Sequence, residues 1–181
     1  GDEVCDGDAL AGASCDSLGL GGGALACAGD CASYDVSGCE FSGFFESFES
    51  GDLIENPWVS EGAASWTVEA TLAHDGDFVA RSGPIDGDEW SELAITLEFP
   101  VAGQITFWHR ESSEFCCDKL RFYVDDEQLG EWSGLTEWTE SSFDVGAGEH
   151  VLAWRYEKDM NVEIGDDFVI IDAISADGVA P

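Results

Sequence analysis

Acidic side chains are the residues of this chain best suited to chemistry, because carboxylate oxygens bind hard cations such as calcium. Aspartate and glutamate number 39 against 6 lysine and arginine residues, a formal net charge of -33 over 181 residues. Calcium takes about six to eight oxygens, often from carboxylates and from the backbone carbonyls of turns. Asp172 interrupts the apolar run 168–174, where a carboxylate is costly unless it is paired or bound to a metal. Strand alternation leaves a second interpretation open, in which Asp172 faces solvent or an arginine.

A second group of acids lies in two segments rich in turn-forming residues, beside Ser112-Ser113 and after Gly165. It comprises Glu114, Asp118, Asp166 and Asp167. From Glu114, Asp118 and Asp167 we predict a second metal site. The alternative is a solvated acidic loop, since 39 acids produce such groupings by chance.

The cysteines point to an oxidising compartment. Five of the seven lie in the first 40 residues, a glycine-rich stretch with a single aromatic residue, Tyr34. Such a segment buries little apolar surface, so disulfides must take the place of a core. The framework residues are Cys5, Cys15, Cys27, Cys31 and Cys39. A zinc site around Cys27 and Cys31 is the alternative, but it lacks paired C-x2-C knuckles. The odd total leaves one thiol free, cross-linked to another chain, or separated from a partner upstream.

Cys116 and Cys117 are adjacent, which allows two arrangements. They can close a vicinal disulfide, or one of them can pair with the N-terminal unit. A redox or catalytic role requires a low-pKa thiolate in a basic setting, and the surrounding sequence is acidic.

The elements that must position these residues are β-strands. Ile105, Phe107 and His109 alternate with polar or amphipathic residues, and 119–125 and 150–157 show the same period of two. Turn signals such as Asp86-Gly87 separate these runs, no helical stripe is present, and 168–174 is apolar enough for a central strand. We predict an all-β fold, an antiparallel β-sandwich of about eight strands at 41–176, after a disulfide-rich unit at 1–40 and before a linker-like tail at 177–181.

Composition excludes several functions. The negative charge repels nucleic acid and anionic membranes, and no apolar run reaches the roughly 20 residues of a membrane span. His74, His109 and His150 form no catalytic motif in the sequence, and carboxylate pairs carry no information among so many acids. The sequence therefore predicts a protein that is not an enzyme.

Two stretches resemble known families. The segment 4–39, with the spacing C-x9-C-x11-C-x3-C-x7-C, resembles the short cysteine-rich repeats of surface and secreted proteins in myxobacteria. The region 44–175 resembles jelly-roll modules of bacterial secreted proteins that are similar to MAM domains and to the adhesin domains of gingipains. The segments that carry this second resemblance include 48–52, 112–125, 154–159 and 171–174.

The second resemblance implies a jelly roll that binds calcium and is not catalytic. In such modules an acid early in the domain and one in the last strand meet at an edge of the sandwich. Glu49, Asp52 and Asp172 fill those roles here, with Asp75 as a third arm of this first calcium site. Most tryptophans fall in the shared segments and are expected in the core, whereas Trp90 lies in an acidic loop and is the candidate ligand contact.

These observations favour a calcium-stabilised adhesion or binding module of a larger secreted or cell-surface protein. Its partner would be a surface glycan or a protein ligand. A structural subunit of an extracellular filament, contacting neighbouring copies of the chain, is one alternative. A carbohydrate-binding module attached to a hydrolase is the other.

Overall fold

The computed structural model describes residues 4–7, 9–15, 17, 22–39, 43–160 and 165–179. The predicted boundary between the two units falls at 40–43, most of which lies outside the described residues. The strands are β1 (Ala26–Cys27), β2 (Tyr34–Asp35), β3 (Phe44–Glu46), β4 (Val59–Gly62), β5 (Thr67–Glu69), β6 (Val79–Arg81), β7 (Trp90–Phe99), β8 (Gly103–Ser112), β9 (Lys119–Val124), β10 (Glu127–Trp132), β11 (Thr139–Val145), β12 (Gly148–Glu157) and β13 (Phe168–Ala176).

The chain from β3 onward forms two antiparallel sheets. The five-stranded sheet has the order β10-β9-β12-β7-β4, and the six-stranded sheet has the order β11-β8-β13-β6-β5, with β3 along the end of β13. The predicted all-β sandwich is therefore confirmed, and 168–174 is a central strand as expected. The strand number was underestimated, because β3 to β6 are too short to show a period of two. No helix long and apolar enough to cross a membrane occurs in the described residues.

The core lies between the two sheets. Alternate residues of β8 and β12, among them Phe107 and Trp154, are fully buried there, which is the pattern the alternation predicted. The sandwich also extends past β13. Val179 is buried in the same core, and Asp177 and Gln104 bond through their backbones. Residues 177–179 thus belong to the sandwich. The sequence had suggested that they form part of a linker-like tail.

The N-terminal unit has its own small cluster around two disulfides. Cys5 pairs with Cys27 and Cys15 with Cys39, while β1 and β2 form a two-stranded ribbon. Cys31 forms no disulfide with another described cysteine, and the odd total of seven requires this of one cysteine. The remaining two, Cys116 and Cys117, pair with each other.

Candidate metal centre and ligand-binding face

Two residues of the first predicted calcium site, Glu49 and Asp172, accept hydrogen bonds from the backbone of one loop. Asp172 is fully buried on the outer side of β13, where a β-bulge follows it and Ala173 adopts a φ of 45°. One carboxylate oxygen of Asp172 accepts the backbone N–H groups of His74 and Asp75, both at 2.9 Å, and the other accepts that of Ala173 at 2.7 Å. Burial raises the pKa of Asp172, and the three amide contacts oppose this effect.

Glu49 holds the other end of the same loop. Its Oε1 accepts the backbone N–H groups of Asp77 at 3.0 Å and of Phe78 at 2.9 Å. Asp52 is instead used in its own turn, where Oδ1 accepts the N–H of Ile54 at 3.0 Å. In the described part of the chain, no three of the four predicted ligands place their ligand atoms within 4.8 Å of one another. Glu49 and Asp172 therefore clamp a loop by accepting its amides.

The clamped loop joins β5 to β6 and covers the outer face of the six-stranded sheet. His74 stacks on Trp108 with the ring centroids 3.8 Å apart, and its ring meets Trp138 edge-on at 5.7 Å. Trp138 Nε1 donates to the carbonyl of Leu72 at 3.0 Å. Strand alternation places Asp172 outside the core. Asp172 is nevertheless buried, because the loop between β5 and β6 covers it.

The second predicted site does bring acids together. Glu114 and Asp118 lie in the loop between β8 and β9, and Asp159 follows β12. Their carboxylate oxygens lie within 4.8 Å of one another. Asp167 lies beside them, bound to Lys158 at 3.0 Å, whereas Asp166 is exposed and bonded to Ser112. Sequence reasoning missed Asp159, which is one acid among 39 and lies 41 residues from Asp118.

Several oxygens of this acidic centre, defined as Glu114, Asp118, Tyr156, Asp159 and Asp167, are buried without a hydrogen-bond partner among the described residues. They are Glu114 Oε2, Asp118 Oδ2, Asp167 Oδ1 and the Tyr156 hydroxyl. Burial, and then the neighbouring carboxylates, raise the pKa of Glu114 and of the Tyr156 hydroxyl. Burial is also the main cause that raises the pKa of Asp118. The centre thus gathers oxygen donors that protein groups leave unsatisfied.

The loop that carries Glu114 and Asp118 is held from both sides. Ser113 is buried, donates its hydroxyl to the carbonyl of Asp118 at 3.0 Å, and accepts the N–H of Gly134 at 3.2 Å. The Cys116–Cys117 disulfide closes a ring between the two acids. The vicinal alternative is thus the one observed, and the ring restricts the chain where the acids converge.

A second polar group lies inside the sandwich. His109 Nδ1 is 2.7 Å from Glu111 Oε1, and His109 Nε2 is 3.0 Å from the Ser141 hydroxyl. This is the hydrogen-bond order of a serine–histidine–acid triad, which the sequence did not reveal. Glu111 also accepts the Thr136 hydroxyl at 2.7 Å, and both His109 and Glu111 are 1% exposed. The side-chain polar atoms of His109 and Glu111 are all bonded to neighbouring side chains, as expected of a structural network.

The outward face of the five-stranded sheet carries three of the six basic residues. Arg121 and Arg155 are register partners on β9 and β12, and Lys119 lies on the same face. Arg155 bonds Glu92 at 2.7 Å, Lys119 bonds Glu131 at 2.6 Å, and Arg121 bonds Glu131 at 3.0 Å. Arg121 also pairs with Glu157. We call this set, with Trp90 and Tyr123, the sheet face.

Trp90 differs from its prediction. It begins β7 instead of lying in a loop, and it is half-buried. The Arg155 guanidinium lies 4.8 Å from the Trp90 ring centroid and 5.2 Å from that of Tyr123. The Trp90 and Tyr123 rings therefore flank a common cation at the centre of the sheet face.

Comparisons with known proteins identify the fold. No family model matches the chain, and no curated protein matches it. Among solved structures, the carbohydrate-binding module TmCBM61 in complex with β-1,4-galactotriose has a TM-score of 0.54 at 23% identity, covering 72% of this chain and 92% of its own. The K3 cleaved adhesin domain of Lys-gingipain from Porphyromonas gingivalis has a TM-score of 0.59 at 16% identity, covering 74% and 96%.

A secreted serine protease from Vibrio cholerae, VesC, is also similar, with a TM-score of 0.50 at 18% identity. The match covers 65% of this chain but only 25% of the protease. At these identities the comparisons show a shared β-sandwich fold, of the kind found in adhesin domains and carbohydrate-binding modules. They assign no activity.

Proposed function

We propose that the chain is a non-catalytic, calcium-stabilised, extracellular binding module, and that its ligand is a carbohydrate bound on the sheet face. One observation supports this ligand class. Three paired basic side chains and two aromatic rings lie together on one outward surface of a protein whose net charge is -33. Elsewhere on the chain acids dominate, so this face is a local exception.

The charges of the sheet face nearly cancel. Lys119, Arg121 and Arg155 are balanced by carboxylates of Glu92, Glu131 and Glu157. A balanced surface offers an anion or a cation no net attraction, but it presents many fixed donors and acceptors. Hydroxyl groups, which donate and accept, are the partners that such a surface can satisfy.

The aromatic rings supply the apolar part of sugar recognition. Pyranose rings have a face of C–H groups, and aromatic side chains provide large apolar surface with polar groups nearby. Trp90 and Tyr123 lie on strands and are held by contacts with Arg155, so little ordering is needed on binding. The similarity of the fold to TmCBM61, whose solved complex contains a galactotriose, is consistent with this ligand class.

The disulfides support the extracellular part of the proposal. Two lie in the N-terminal unit and one in the sandwich, and disulfides persist mainly in oxidising compartments. The adhesin and carbohydrate-binding neighbours support the absence of catalysis.

The test is a glycan array followed by titration calorimetry of any glycan that binds. We expect Trp90→Ala and Tyr123→Ala each to weaken binding at least tenfold, about 1.4 kcal/mol. Phe45→Ala is the matched control, because Phe45 is 61% exposed and lies on β3, which belongs to the other sheet. Binding that survives both sheet-face substitutions, or a wild-type chain that binds no glycan, would refute the proposal.

A further inference from the structure

The structure assigns a divalent-cation site of calcium type to the acidic centre, at the junction of the β8–β9 and β12–β13 loops. This site develops the calcium stabilisation proposed above, and it is separate from the sheet face. Its ligands are the carboxylates of Glu114, Asp118 and Asp159, with Asp167 and the Tyr156 hydroxyl adjoining them.

Unsatisfied buried oxygens are the main argument. Asp118 and Tyr156 are both fully buried, and each has an oxygen without a hydrogen-bond partner in the described part of the chain. Leaving a buried polar atom unpaired costs about 1–3 kcal/mol, and more when the group is charged. Glu114 Oε2 and Asp167 Oδ1 add two further oxygens of the same kind. A cation held by Glu114 and Asp118 would give the unpaired oxygens of these two residues the partner that they lack.

Charge leads to the same conclusion. The four carboxylates of the centre are accompanied by one ammonium group, that of Lys158, which bonds Asp167 at 3.0 Å. Four negative charges and one positive charge give a formal sum of -3. A divalent cation removes most of this excess, in a place where burial weakens screening by water.

The donor set favours calcium over zinc. Ligands on opposite sides of a calcium ion are at most about 5 Å apart, because calcium–oxygen distances are about 2.3–2.6 Å. The oxygens of Glu114, Asp118 and Asp159 meet this limit, since they lie within 4.8 Å of one another. Zinc prefers sulfur and nitrogen ligands, and the sulfurs of Cys116 and Cys117 are held in a disulfide. Oxygen donors on two separate loops suit calcium, which tolerates irregular coordination.

The test is calorimetric titration of calcium chloride into the chelator-treated full chain. We expect Glu114→Gln and Asp118→Asn each to weaken calcium binding at least tenfold. Asp126→Asn is the matched control, with the same change of charge at an exposed position in the turn between β9 and β10, and it should bind within twofold of wild type. Asp172→Asn tests the clamped loop as the competing location.

Three results would overturn the assignment. They are wild-type protein that binds no calcium at millimolar concentration, wild-type affinity in both Glu114→Gln and Asp118→Asn, and loss of binding in Asp172→Asn alone. Should Asp118→Asn fail to fold, Glu114→Gln decides, because Glu114 is only partly buried. Glycan titration of Glu114→Gln separates the two proposals, since this variant should retain sheet-face binding.

Discussion

One carboxylate oxygen of Asp118 accepts the backbone N–H of Asp159 at 3.0 Å, which ties the β8–β9 loop to the residues that follow β12. The other oxygen of Asp118 is buried and has no partner among the described residues. Asp118 thus holds the backbone of a neighbouring acid through one oxygen, and its second oxygen is the one left for the proposed cation.

The vicinal disulfide is predicted to strengthen cation binding. Its ring restricts the backbone between Glu114 and Asp118, so less conformational entropy is lost when these ligands are ordered around an ion. We expect the double variant Cys116→Ser and Cys117→Ser to bind calcium several-fold more weakly than wild type in calorimetric titration.

Cys31→Ser is the control for that experiment, because Cys31 is the cysteine outside any disulfide and lies in the N-terminal unit. It should leave calcium affinity unchanged. Equal affinity in the double serine variant and the wild type would show that the ring does not organise the ligands.

The clamped loop gives a prediction about stability and pH. Since burial raises the pKa of Asp172, the folded chain binds more protons here than the unfolded chain does. The stabilisation is fully present below the unfolded pKa, about 3.9, and is lost as the pH rises through the folded pKa. We define the difference as the unfolding free energy of the wild type minus that of Asp172→Asn. We therefore expect this difference to decrease as the pH is raised from 4 toward neutrality.

Urea denaturation in chelator, at fixed ionic strength, measures this difference. Taking the difference cancels the repulsion among the other acids, which both proteins share. A difference that grows with pH would mean that the three amide contacts and His74, which lower the pKa, outweigh burial.

Much of the fold could be predicted because strand alternation is a local signal. The inward positions of Ile105, Phe107 and His109 follow from the period of two, and β8 buries all three. Glu111 continues that inward face, so its proximity to His109 was also readable from the sequence. Ser141 was not, because it comes from β11, and only the pairing of β11 with β8 brings it to His109.

The candidate site was less predictable, for the same reason. Glu49 and Asp172 were correctly associated with one region, but the sequence did not show that the amides of an intervening loop satisfy them. Asp159 joins Glu114 only because two loops meet at the end of the sandwich. With 39 acids, sequence alone supplies no means of choosing between these groupings.

Gly76 is predicted to contribute to the stability of the clamp. It has a φ of 67°, and a Cβ at this position would lie 2.4 Å from the Glu49 carboxylate. Gly76→Ala should therefore destabilise the chain by about 1–2 kcal/mol in urea denaturation. Gly146→Ala is the control, because the nearest atom to its Cβ would be 3.9 Å away.

A double-mutant cycle isolates the contact between Gly76 and Glu49. Glu49→Ala removes the carboxylate that obstructs the new methyl group, so the combined variant should lose less stability than the two single losses added together. If the stability losses of the two single variants simply add in the combined variant, the cost of Gly76→Ala comes entirely from its backbone conformation.

The Ser141–His109–Glu111 network is predicted to stabilise the sandwich without catalysing a reaction. In the tautomer of His109 that carries its hydrogen on Nδ1, Nδ1–H donates to Glu111, and Nε2 accepts the Ser141 hydroxyl. We expect Glu111→Gln to lower the unfolding free energy by about 1–3 kcal/mol. The substitution replaces one of the two buried acceptor oxygens of Glu111 with an NH2 donor, which then faces the donor of His109 or of Thr136. Ser141→Ala should cost less, since Ser141 is partly exposed. A fluorophosphonate probe should leave wild-type Ser141 unlabelled, and labelling that disappears in Ser141→Ala would instead identify a reactive serine and contradict the non-catalytic proposal.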